Sequence, residues 1–268
     1  MSAPTDESPF DTDLLTRGRL VASTAGPVLT ITLNRPDIRN AQLPATWEAL
    51  AHIGSRVPAE TRVVVLTGAG EAFSAGLDRS ILAPSPDSVL FQVASAPDAV
   101  AHNMIADFQR GFTWLSDPSF VSVAAVQGYA IGAGFQLALA CDLLVAADDA
   151  QFSMAEVTLG LVPDLTGTGR LTRAVGFQRA LEICATGRRV SAGEAVQIGL
   201  ALTAVPADDL ERAVADLTDA LLSSPVEAVR AVTRLIGSAV TATPADQLQA
   251  EQHEQLNRLR ELAAGAGQ

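Results

Sequence analysis

Lysine is absent from this chain of 268 residues; all 18 formal cations are arginine. That excludes Schiff bases and other lysine-dependent covalent chemistry. Cysteine is nearly absent as well. Cys141 and Cys184 stand in apolar surroundings without a CxxC spacing. They read as buried structural thiols in a reducing, cytoplasmic setting rather than as a disulfide framework. The three histidines, His52, His102 and His253, are scattered. None has zinc-binding spacing, so no metal site is expected. Aromatics make up only 4% against 48% hydrophobic residues, which implies an ample core of Ala, Val and Leu. Long apolar runs are missing, so no membrane span is expected. The acidic, polar first ten residues lack a signal-peptide pattern. Positive charge is in deficit: the formal net charge is −12. This argues against a nucleic-acid partner and against an anionic membrane surface.

The length suits one large domain or slightly more. Residues 1–17, rich in Asp, Ser, Thr and Pro, read as a flexible N-terminal arm. Residues 28–33 alternate like a strand and end at the turn Asn34-Arg35-Pro36-Asp37. Residues 44–55 read as a helix with Trp47, Leu50 and Ile53 on one face. A buried strand at 63–66 stops at Gly68-Ala69-Gly70. Residues 80–103, with Pro84, Pro86 and Pro97, read as a long irregular segment of the kind that is functional or disordered. A helix is expected over 103–116 and strands over 121–126, 142–147 and 151–154. Helices follow at 175–185, 192–199, 207–222, 226–237 and 244–264. The break near Pro206 divides a core, 18–205, from a helical C-terminal region, 206–268. Strands alternating with helices argue an α/β class.

The chemistry centres on residues 127–142. A strand-like run leads into Gly132-Ala133-Gly134 and then a short apolar helix. The glycines let backbone approach a ligand closely. A helix starting there aims free N–H groups and its positive dipole end at that ligand. Such an arrangement suits an oxygen that becomes negative during a reaction. Gly68-Ala69-Gly70 and Gly132-Ala133-Gly134 both lack the third glycine of a dinucleotide fingerprint. Ala72-Phe73-Ser74-Ala75-Gly76 imitates a nucleophile elbow, but the preceding strand ends too early, at Leu66. A hydrolase would need Ser74 and His253 to converge.

Four ordered blocks carry a resemblance: Leu33-Asn34-Arg35-Pro36-Asp37-Ile38-Arg39-Asn40-Ala41; Phe73-Ser74-Ala75-Gly76-Leu77-Asp78; Ala124 to Gly134 followed by Ala140-Cys141-Asp142; and Leu159-Gly160-Leu161-Val162-Pro163. Together they resemble the crotonase superfamily, the enoyl-CoA hydratase/isomerase family, over about residues 20–205. The resemblance implies a crotonase-type spiral of ββα units with a helical C-terminal region. That region would serve oligomerisation and pocket closure in a homotrimer or dimer of trimers. It implies an acyl-CoA thioester substrate, with coenzyme A as part of the substrate and no permanently bound cofactor. By motif position the backbone N–H groups of Leu77 and Ala133 would form the oxyanion hole.

The family's hydratases carry two glutamates. This chain has Gln136 at the first place and Glu156 at the second, 20 residues on, with Asp164 eight residues later. An acidic residue at that offset resembles the dienoyl-CoA isomerases of the family. A neutral amide donates and accepts hydrogen bonds but takes no proton. Double-bond isomerisation, with Glu156 as base and Asp164 as second acid–base group, is therefore the expected reaction. Hydration by Glu156 with Gln136 orienting water is the alternative, and non-catalytic acyl-CoA binding is another. Asp164 also fits a helix cap. Coenzyme A is polyanionic, and Arg35, Arg39 and Arg79, with Ala75 and Asp78, are the expected contacts. The chain ends at Ala263-Ala264-Gly265-Ala266-Gly267-Gln268 without the basic tail common in the family.

Overall fold

The computed structural model describes residues 9–265 apart from 83, 84 and 87. The chain begins with α1 (Thr12–Gly18), capped by the Asp11 carboxylate, which accepts from the Leu14 N–H. Phe10, Leu14 and Leu15 are buried in the main core. Residues 9–17 are thus docked by apolar side chains spaced along a polar segment, and the expected flexible arm is corrected there. Residues 1–8 lie outside the described residues. An antiparallel hairpin of β1 (Leu20–Ala25) and β2 (Val28–Leu33) turns at Gly26, whose φ is 56°. After α2 (Pro44–Gly54) and β3 (Val63–Gly68) comes the segment expected to be irregular. It is largely helical instead, as α3 (Val89–Ser95) and α4 (Asp98–Thr113). Ser88 caps α3 by accepting from the Phe91 N–H, and Pro97 stands at the N-cap of α4. Proline there precedes a helix start rather than breaking a helix. Pro84 lies outside the described residues.

The middle of the chain runs β4 (Val121–Val126), β5 (Tyr129–Ile131), α5 (Ala133–Ala140), β6 (Leu143–Ala147) and β7 (Gln151–Ser153). It continues with α6 (Gly167–Val175), α7 (Phe177–Thr186), β8 (Val190–Ser191), α8 (Ala192–Gln197) and β9 (Thr203–Val205). The chain closes with α9 (Leu210–Ser223), α10 (Val226–Ala239) and α11 (Pro244–Gly265). A six-stranded sheet has the order β1-β2-β3-β4-β6-β9 and is parallel beyond the hairpin. A second layer holds β5-β7-β8. Single bridges, Gln42 to Leu77 and Ser74 to Ala130, carry that layer back toward the earlier units. Each turn of the chain therefore lays one strand in the large sheet and one short extended piece in the second layer.

Alternation in β2 sends Leu29, Ile31 and Leu33 into the core, where Trp47, Leu50 and Ile53 of α2 also lie. All six residues of β4 are buried, because both faces of the large sheet are covered. On the second face Val63, Val65, Val123 and Val145 pack with Leu210 and Val214 of α9. This puts α9 inside the core unit, so the expected boundary at Pro206 is crossed by packing. Beyond it, α10 leaves Val232 and Ile236 exposed, with Val240 at its C-cap, and α11 leaves Leu256, Leu259 and Leu262 exposed. Cys141 is buried while Cys184 is only half-buried, and both are free. Among the described residues no helix is long and apolar enough to cross a membrane.

Candidate active site

Successive pieces of the second layer deliver the site. Ser74 donates its N–H to the Tyr129 carbonyl, Ile131 donates back to the Ser74 carbonyl, and Gly132 donates to the Ser153 carbonyl, at 2.8, 3.0 and 2.8 Å. Leu77, Ala133 and Glu156 follow these three pieces in the chain. Gln42 donates to the Gly76 carbonyl at 2.7 Å, and Asp78 donates to the Gln42 carbonyl at 2.9 Å. In that parallel pairing the middle residue, Leu77, turns its own N–H to the other side. Ala133 is the first residue of α5, where an N–H has no intrahelical acceptor. Neither N–H has an acceptor among the described residues.

Glycine makes the close approach of these turns possible. Gly76 has φ +86°, and a Cβ there would stand 2.3 Å from the Ile131 carbonyl and 3.4 Å from the Ala133 nitrogen. Gly132 has φ 52° and ψ −121°, a conformation that side chains oppose.

Glu156 lies in a short 3₁₀ segment, Ala155–Leu159. Gln136, 1% exposed on α5, donates from Nε2 to Glu156 Oε1 at 2.7 Å. The other carboxylate oxygen, Oε2, is buried without a partner. Burial, with the Asp164 charge adding to it against the Gln136 hydrogen bond, holds the Glu156 pKa above the ordinary value. A carboxyl group whose pKa is raised in this way holds a proton more readily than an exposed glutamate does. The Gln136 Oε1 in turn accepts the Leu165 and Gly167 N–H groups at 2.8 and 3.2 Å.

Asp164 stands in the loop between two left-handed residues, Gly160 and Thr166. The cap position of α6 belongs to Thr166, which corrects the reading of Asp164 as a helix cap. Asp164 keeps over a third of its surface open. The surrounding protein nonetheless displaces enough water to raise its pKa. Glu156, Gln136 and the Asp164 loop are therefore brought together, and Gln109, which donates to the Asp164 carbonyl at 2.7 Å, joins them.

The expected phosphate contacts divide. Arg35 pairs with Asp78 at 2.6 Å. The Ser80 N–H, then Arg35, holds the Asp78 carboxyl below the usual range. Ala75 donates to the Arg39 carbonyl at 2.7 Å, but the Arg39 guanidinium lies 5.2 Å from the Tyr129 ring centroid. That places it at the edge of a separate groove of about 1140 Å³. Arg79 is exposed at the start of a 3₁₀ turn.

Sequence reasoning missed Asn40, Gln42, Ser74 and Gln109 as organisers. Asn40, buried at φ 54°, donates to the Ala69 and Ala72 carbonyls and accepts the Arg35 N–H. Asparagine tolerates that conformation better than most residues, and that was the available signal. Ser74 is wholly buried; its Oγ donates to the Asn40 carbonyl and accepts from Gln42 Nε2. His253 is exposed on α11, so the hydrolase pairing has no geometry behind it.

The family model described as Enoyl-CoA hydratase/isomerase matches residues 23–262. A Thermobifida fusca YX chain named for enoyl-CoA hydratase and solved with CoA is 42% identical, with a TM-score of 0.88 over 95% of this chain and 98% of that one. A Thermobifida fusca YX chain named for enoyl-CoA hydratase and solved with acetoacetyl-CoA aligns at 41% identity and a TM-score of 0.88, over 94% and 98%. A Mycobacterium tuberculosis relative, also named for enoyl-CoA hydratase, is 36% identical over 67% of this chain and 66% of its own length, just under two thirds. A Salmonella typhi carnitinyl-CoA dehydratase is 37% identical over 78% and 77%.

Proposed function

Because this chain belongs to the enoyl-CoA hydratase/isomerase family, the crotonase superfamily, we propose that it acts on an unsaturated acyl-CoA thioester and moves a double bond through an enolate. Glu156 Oε2 takes a proton from the carbon next to the thioester carbonyl. The electron pair shifts onto the thioester oxygen. The Leu77 and Ala133 N–H groups hold the charge that develops there. In a short shift Glu156 returns the proton at a more distant carbon; in a longer one a protonated Asp164 delivers its proton there, and exchange with solvent then removes the proton from Glu156 and restores the one on Asp164. No water is added and no cofactor is consumed; coenzyme A enters only as part of the substrate.

The observation that carries this reading is the hydrogen bonding of Gln136. One of its two amide N–H donors serves Glu156 and its acceptor serves two backbone N–H groups. Adding water across a conjugated double bond calls for two carboxylates on one water, and Gln136 has no proton-accepting group to supply. The runner-up is hydration of a 2-enoyl thioester, favoured by the hydratase names of the T. fusca and M. tuberculosis relatives. Arg35 and Arg79, with Ala75 and Asp78, are proposed to receive the coenzyme A portion, while Arg39 is turned to the separate groove beside Tyr129. The exposed apolar residues of α10 and α11 support a homotrimer or dimer of trimers in which these helices close the pocket. The two free cysteines support a reducing, cytoplasmic location.

The test is incubation with 2-enoyl, 3-enoyl and 3,5-dienoyl thioesters in deuterated water, followed by mass and absorbance. Isomerisation predicts conjugation of the 3-enoyl or 3,5-dienoyl substrate with deuterium uptake at carbon. Rapid gain of water on the 2-enoyl substrate that survives Asp164→Ala would overturn it. Binding without turnover on all three would instead identify an acyl-CoA carrier.

A further inference from the structure

The segment that carries Asp164 has little structure of its own. Between Gly160 and α6 it forms no helix or strand, and the Asp164 carboxylate has no bond to another residue among the described residues. Two glutamines from different helices fix it. Gln136 of α5 holds the Leu165 and Gly167 N–H groups. Gln109 of α4 donates Nε2 to the carbonyl of Asp164 itself at 2.7 Å. Each glutamine is well anchored. Gln136 is 1% exposed, and a Cβ on Gly167 would come within 2.6 Å of its Cγ. The helix bearing Gln109 packs on α2 through Trp47, whose ring centroid is 5.1 Å from Phe108 and 6.2 Å from Phe112.

We propose that Gln109 is a positioning residue for Asp164, and that with Gln136 it sets the place of Asp164 relative to Glu156, so that the two carboxyl groups act at different carbons of one bound chain. The inference rests on the isomerase reading and extends it to a residue outside the carboxyl groups. The amide is suited to the task by its charge. An arginine at 109 would reach the same carbonyl but would set a positive charge beside Asp164 and favour its ionised form. Glutamine holds the backbone and leaves the proton affinity of the carboxyl to its surroundings. Replacing the donor with an apolar side chain frees the loop at one of its two anchors. A displacement of about 1 Å at a reacting group costs on the order of 10²-fold in rate.

The experiment compares wild type, Gln109→Leu, Gln109→Met, Asp164→Asn and the double variant Gln109→Leu/Asp164→Asn on a 3,5-dienoyl thioester in deuterated water. Two rates are read: deuterium entry next to the carbonyl, which reports Glu156, and formation of the conjugated product, which needs return of a proton at the far carbon. Gln109→Leu and Gln109→Met should each lower product formation by about 10–100-fold. KM and deuterium entry should stay within twofold, and the double variant should be no slower than Asp164→Asn alone. Product formation at the wild-type rate in both Gln109 variants, with Asp164→Asn impaired, overturns this inference while leaving the isomerase reading intact. So does a parallel fall in deuterium entry, or a double variant whose losses multiply. An unimpaired Asp164→Asn overturns the role of Asp164 itself, and the inference falls with it.

Discussion

Replacing Gly76 with alanine should abolish most activity without removing the substrate's binding site. The new methyl carbon would stand 2.3 Å from the Ile131 carbonyl oxygen and 3.2 Å from its carbon. Ile131 has no freedom to yield: its N–H is bonded to the Ser74 carbonyl at 3.0 Å, and the next N–H, of Gly132, to the Ser153 carbonyl at 2.8 Å. The segment 74–77 must therefore retreat by about 0.7 Å merely to bring the contact to 3.0 Å. Alanine at φ +86° adds strain on the order of 1–2 kcal/mol, and residual overpacking adds about 1–3 kcal/mol. The retreat carries the Leu77 N–H away from the Ala133 N–H. Donors to an oxyanion act at about 2.7–3.1 Å, and losing one typically costs about 10²–10³-fold in kcat. The assay is kcat on a 3-enoyl thioester beside the affinity for CoA measured by calorimetry and the thermal midpoint. The control is Gly169→Ala on α6, where nothing lies within 4 Å of the new carbon; it should keep its activity and gain a little stability. A folded Gly76→Ala protein with kcat within threefold of wild type would refute the assignment of these two N–H groups.

Other outcomes follow from the same geometry. Glu156→Gln should lower turnover by about 10²–10⁴-fold, and deuterium exchange next to the carbonyl should be lost with it. In wild type Glu156 accepts a proton only above its raised pKa, so exchange should fall on the acid side with a midpoint above the ordinary glutamate value of 4.5. Asp164→Asn removes a negative neighbour and should move that midpoint downward; a midpoint that stays put would deny the coupling. Arg79→Ala should raise KM for an acyl-CoA by about tenfold at unchanged kcat, the worth of one charge-assisted hydrogen bond. Unchanged KM would remove Arg79 from the binding surface. Ser74→Ala should cost about 1–3 kcal/mol of stability in a denaturant titration, because the buried amide of Gln42 loses its acceptor. Covalent labelling of wild-type Ser74 by a serine-directed acylating agent would contradict its buried, fully bonded state.

Much of the architecture was legible because its signals are local. Alternation located β2, and apolar periodicity located α2 and most of the C-terminal helices. Glycine marked the turn at 132, where the structure has positive φ. The flexible arm and the irregular 80–103 segment were misread for the same reason: composition registers polar residues and prolines, not where a neighbour waits. Phe10, Leu14 and Leu15 gain their burial from the core beneath them, and Pro97 becomes a helix start only in the context of α4.

By itself the sequence determined the family, the glycine-made turn at Gly132, and the substitution of an amide for a carboxylate at Gln136. Those depend on residue identity and on spacing within a few positions. Only the tertiary structure decided how Gln136 is used. Its partners lie 20, 29 and 31 residues away, and the link from Gln109 to Asp164 spans 55. Hydrogen bonds over such separations exist only once packed helices and sheets bring the groups within about 3 Å. No pattern along the chain encodes that meeting.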